Sequence, residues 1–113
     1  MDYKWINFDE GKSIGQRGSE GGKIIRDEEN TFGARVTLED KGNVAPFSIT
    51  LGIYDLMFHT EFFSTIEEGQ RCFEQYKEKI ELMIGHYSVE ESERDSAWNT
   101  RHNQIMEEIL NVC

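Results

Sequence analysis

The sequence predicts an α+β domain: a four-stranded antiparallel meander with one apolar face covered by one or two C-terminal helices. Three observations carry this reading. Apolar residues alternate strictly in "PFSITLGI" and again in "ARVTLED". The segments between extended stretches, "EENTFG" and "DKGNVAP", are turn-rich and too short for a parallel crossover. Beyond Phe63 the apolar period lengthens from two residues to about 3.6. A chain of 113 residues has single-domain size, and at that length roughly two thirds of the unfolded surface is buried, enough for one core.

Taken in order, residues 1–21 read as an aromatic arm and a glycine-rich loop, 22–63 as the sheet and 64–113 as the helices. Tyr3, Trp5 and Phe8 are costly to leave in water, so the arm is expected to pack on its own domain or on a neighbouring chain. The stretch "GKSIGQRGSEGG", residues 11–22, holds five glycines. A phosphate cradle needs its donors at a helix start, whereas here a strand follows, and the full nucleotide-loop spacing is missing. The segment is expected instead to fold back near the outer face or the edge of the sheet, with Ser19 and Glu20 hydrogen-bonding into it.

The first strand, "GKIIRDEE", centres on Ile24 and Ile25. The second alternates Ala34, Val36 and Leu38 against Arg35, Thr37 and Glu39, and the third sets Phe47, Ile49, Leu51 and Ile53 against Ser48, Thr50 and Gly52. Pro46 stands at the mouth of the third strand, where its missing donor does no harm. A two-residue turn at Tyr54 and Asp55 would put Ile53 opposite Leu56, Leu51 opposite Phe58, Ile49 opposite Thr60 and Phe47 opposite Phe62. His59 would then lie beside Thr50 and Glu61 beside Ser48 on the outer face, with Arg35, Thr37, Met57 and Phe63. A slip of one residue would turn Met57, His59 and Glu61 toward the core.

The first helix, within "STIEEGQRCFEQYKEKIELMIG", buries Ile66, Phe73, Tyr76, Ile80, Met83 and Ile84. Ser64 with Glu67, or Thr65 with Glu68, forms its capping box, and Gly85 offers a left-handed end. A second helix, capped by Ser88 with Glu91 or by Asp95, carries the stripe Trp98, His102, Ile105, Ile109 and Val112, with His102 read as a core-edge residue.

The 22 acidic and 12 basic side chains give a formal charge of −10, which repels phosphate backbones and anionic lipid headgroups, so neither nucleic acid nor membrane is an expected partner. No run of about 18 apolar residues exists to span a membrane, and the first ten residues lack the apolar core of a secretory signal. Cys72 and Cys113 are too few for a disulfide framework and read as reduced thiols in a cytoplasmic protein.

The chemical candidates are few. His59 and Glu61, two apart on a strand, share a face, where imidazole and carboxylate suit a metal or an acid with its orienting partner. A third group from Asp27, Glu28, His86 or His102 would be needed. With Ser19, Glu20, Asp27 and Thr50 they make the candidate site. No serine or cysteine sits in a nucleophile elbow, so no catalytic residue is assigned, no metal or cofactor is expected, and enzyme activity is not established by the sequence. "DEEN" and "VEESERD" are read as solvated surface.

"GSEGG", "DEE" and "GIYDLMFHTEFF" followed by "EEGQRCFEQYKEKI" resemble a group of small bacterial proteins of unknown function that share this strand–strand–helix middle over residues 13–84. The resemblance implies a cytoplasmic single domain and transfers no catalytic residue. Two functional readings follow. The first is a non-enzymatic interaction or regulatory protein using an acidic surface and an open sheet face, comparable in size and charge to small immunity or inhibitor proteins that neutralise a basic toxin. The alternative is a small ligand-binding protein or enzyme with His59 and Glu61 under the glycine-rich loop. Trp5, Phe8, Met57 and Phe63 exceed what a monomer of this size exposes, so a homodimer is expected.

Overall fold

The structure, a computed structural model, describes residues 4–53 and 56–113. It is α+β, as the alternation and the later helical period require, but its antiparallel sheet has five strands: β1 (Trp5–Asn7), β2 (Lys23–Asn30), β3 (Ala34–Asp40), β4 (Phe47–Ile53) and β5 (Met57–Phe63). They lie side by side in chain order. Helices α1 (Ile66–His86) and α2 (Ser96–Leu110) follow. The strand absent from the four-strand expectation is β1, in the arm: Trp5 pairs with Asn30 and Asn7 with Glu28. Three residues show no readable alternation, and only the exposed edge of β2 makes them a strand.

The expected β4–β5 register is corrected by one residue. Ile53 faces Met57, Leu51 faces His59, Ile49 faces Glu61 and Phe47 faces Phe63. The turn expected at Tyr54 and Asp55 lies outside the described residues, but the register leaves three residues between the strands. The slip turns Met57, His59, Glu61 and Phe63 to the helix side and Phe58, Thr60 and Phe62 outward. It is tolerated because β5 is the sheet's last strand: there His59 and Glu61 keep contact with water while hydrogen-bonding each other at 3.0 Å. Phe63 gains a buried place, and Leu56, left in the connection, still packs on the core.

The core joins the middle of the sheet to both helices: Val36, Leu38, Ile49 and Leu51 meet Phe73, Tyr76, Ile80, Met83, Ile105 and Ile109. Helix α1 begins at Thr65, one of the two expected caps: the Glu68 backbone N–H donates to the Thr65 hydroxyl oxygen at 3.3 Å and the hydroxyl itself donates to the Glu68 carboxylate at 3.1 Å. It runs through Gly85 to His86 instead of ending there. Asp95 caps α2 through the Trp98 N–H. His86 and Trp98 stack at 4.3 Å between centroids and exchange two hydrogen bonds, imidazole to the Trp98 carbonyl and indole N–H to the His86 carbonyl. His102 stacks on Trp98. The helical hairpin so formed brings Cys113 back to Cys72, and the two are joined as a disulfide with Cα atoms 6.3 Å apart. The expectation of two separate thiols is thereby corrected, and with it goes one support for a cytoplasmic location. Among the described residues no helix is long and apolar enough to cross a membrane.

Candidate functional site

The outer face of the sheet is built in three cross-strand rows. Glu29, Arg35, Gly52 and Phe58 form one, Asp27, Thr37, Thr50 and Thr60 the next, and Glu39, Ser48 and Phe62 the third. A register shift between Ile24 and Arg26 keeps Ile24 outward while Ile25 and Arg26 both turn to the helix side.

Over this face folds the glycine-rich segment, in the place expected for it. It extends β2 back on itself: the Gly15 N–H donates to the Ile24 carbonyl, the Ile24 N–H to Gln16 and the Gly18 N–H to Gly22. Gly11, Gly15 and Gly21 take positive φ, which frees the chain to turn this tightly. The Asn43 N–H donates to the Glu20 carbonyl and ties the segment to the β3–β4 connection.

The loop's donors converge on an anion that belongs to the protein itself. The backbone N–H groups of Glu20 and Gly22 donate to the carboxylate of Glu39, at 3.0 to 3.3 Å, and Glu39 is only 1% exposed. A Cβ on Gly18 would lie 2.2 Å from that carboxylate. The cradle that a glycine-rich loop offers to phosphate is therefore occupied by a side chain, and it fixes the loop on the sheet. Sequence reasoning placed Glu39 outward but gave it no role. A strand acid facing a segment dense in glycine N–H groups was the readable signal.

A second buried acid lies nearby. Asp27, 0% exposed, accepts two hydrogen bonds from the Arg35 guanidinium, at 2.9 and 2.6 Å, and one from the Thr37 hydroxyl at 3.0 Å. The Arg35 guanidinium is held above its ordinary value, first by its hydrogen bond to Asp27 and against the effect of burial. Arg35 also lies 3.5 Å from the Phe8 ring centroid, so Phe8 covers this ion pair on the outer face.

Between loop and sheet remains a half-open cleft of about 300 Å³, with Thr37, Thr50 and Gly52 as floor, Arg17, Gly18 and Ser19 as roof, and Arg35 and Phe58 at its sides. Phe58 is 76% exposed. Among the described residues no hydrogen bond or ion pair holds the Arg17 side chain. Of the expected site residues, Ser19 and Thr50 line the cleft and Asp27 supports its wall. Glu20 contributes its backbone, not its side chain, to the Glu39 cradle. His59 and Glu61 do not join them: the corrected register puts them on the opposite face, beside Leu51 and Ile49. Among the described residues no three His, Cys, Asp or Glu side chains gather as a metal-binding group. What the cleft offers is hydrogen bonding, cationic charge and an aromatic ring.

Comparison with known proteins finds no matching family, no matching curated protein and no matching solved structure.

Proposed function

We propose that the protein is a non-enzymatic interaction protein that docks a basic protein partner on the outer face of its sheet, with the cleft beside Phe58, whose lining carries Arg17 and Arg35, receiving an acidic or neutral hydrogen-bonding side chain of that partner. The observation that carries this reading is the exposed Phe58 at the side of a cleft whose roof is fastened through Glu39. An exposed aromatic ring next to an ordered pocket suits a protein interface, because the ring buries a large area and the pocket loses little ordering entropy on binding. The formal charge of −10 favours encounter with a basic partner, the relation seen between small inhibitor or immunity proteins and basic toxins. The enzyme alternative loses its acid–base pair from the cleft, since His59 and Glu61 lie across the sheet.

The test is affinity capture with the whole chain. A basic protein should be retained at low ionic strength and released as salt rises. Phe58→Asp, a surface change, should weaken that capture by about tenfold or more without altering the melting temperature. Capture that is indifferent to Phe58→Asp overturns the proposed docking face.

A further inference from the structure

The two edges of the sheet differ. β1 is a three-residue edge, and the side chain of its Trp5 is tied to α1 by an indole hydrogen bond to Glu81. β5 is a seven-residue edge, "MFHTEFF", without proline or lysine. Beyond it no further strand is hydrogen-bonded among the described residues. Such an edge presents a row of unpaired backbone groups, and proteins ordinarily blunt one with proline, lysine, inward-pointing charges or a covering element. Here the only ionisable side chains along it are His59 and Glu61, both on the helix side.

We propose that β5 pairs antiparallel with β5 of a second copy of this chain, about a two-fold axis through Thr60, making one continuous sheet through both protomers. The order of residues around Thr60 is self-complementary. With Thr60 opposite its own counterpart, His59 falls opposite Glu61 of the partner subunit and Glu61 opposite His59 of the partner subunit. On the other face Phe58 and Phe62 each meet the other residue's counterpart. Imidazole and carboxylate, already 3.0 Å apart within one strand, then alternate around a closed four-membered cluster, and the exposed rings gain cross-strand aromatic partners.

Neighbouring registers fail on the same chemistry. An axis through His59 opposes two imidazoles, and an axis through Glu61 opposes two carboxylates. Shifts by one residue would bring the helix-side residues of one protomer opposite outward residues of the other. The pair that bars indiscriminate pairing at this edge thus admits one register. Because that axis stands perpendicular to the sheet, both helical layers share one face and both glycine-loop clefts share the other. The inference does not rest on the docking reading of the cleft.

Sedimentation velocity of the whole chain tests it. At about 100 micromolar, a concentration at which a small isologous contact is populated, the wild type should sediment at twice the protomer mass. Thr60→Lys and Thr60→Glu change an outward side chain and leave the core alone, and each should sediment as a folded monomer because like charges meet across the axis. Mixed in equal amounts, the two variants should restore the dimer. A wild type that remains monomeric overturns the proposal, as do variants that dimerise alone or a mixture that stays monomeric although both variants fold.

Discussion

The helix side of the sheet has two charged flanks, and they are satisfied in opposite ways. On β2, Arg26 and Glu28 are taken over by α1. The Arg26 guanidinium lies 3.9 Å from the Phe73 ring centroid and donates to Gln70, Glu74 and Glu28, while Lys77 donates to Glu28 at 2.7 Å. On β5, His59 and Glu61 have each other. Between the flanks the sheet is apolar, from Val36 and Leu38 across to Ile49 and Leu51. The difference shows that a charge on the core side of a sheet needs either a helix that brings counter-charges or an edge where water remains. The first solution fastens α1 to the sheet; the second leaves β5 free to be used.

The largest effect should come from the apolar strip between the flanks. Ile49, fully buried between Leu38 and Glu61, gives way to a core carboxylate beside a like charge in Ile49→Asp, a change costing more than about 4 kcal/mol. Loss of the cooperative thermal transition is the expected result, and an unaltered melting temperature would show that the strip is not the core.

A smaller effect separates the flanks themselves. Arg26→Ala removes the ring contact and leaves Glu28 with one cation fewer, and urea denaturation should show a loss of about 2 kcal/mol. His59→Ala, at the water-facing edge, should cost less than about 1 kcal/mol. Equal losses at the two positions would erase the distinction between a helix-held and a self-satisfied flank.

The smallest effect is one of pH. Burial pushes the Glu28 carboxyl up, but hydrogen bonds and charge from Lys77 and Arg26 outweigh this and hold it below its ordinary value of 4.5. A carboxyl lowered on folding stabilises the native state fully above its unfolded pKa, and that contribution is lost as the pH falls through the lowered value. The melting temperature should therefore drop on acidification below pH 4.5, and Lys77→Met should make this part of the drop shallower. A limb equally steep in the variant would remove Lys77 from the account.

Local chemistry was enough to determine the α+β class, the meander of β2 to β5 and both helices, and it narrowed each helix cap to two candidates, from which the structure takes Thr65 and Asp95. Alternation, helical period and capping boxes each act within a few residues, so they can be read along the chain. The return of the glycine-rich loop over the sheet was also legible, since its glycines precede a strand and carry polar groups. Tertiary structure alone decided the rest. Trp5–Asn7 became a strand because β2 offered an edge. β5 slipped by one residue because its inward charges lie where water still reaches, a fact invisible to an alternation rule that treats every strand as central. Cys113 met Cys72 because two helices folded back on each other. Glu39 became the anchor of the loop because donors from residues 20 and 22 converge on it: pairings this distant are set by the path of the whole chain, and no single segment of the sequence contains that path.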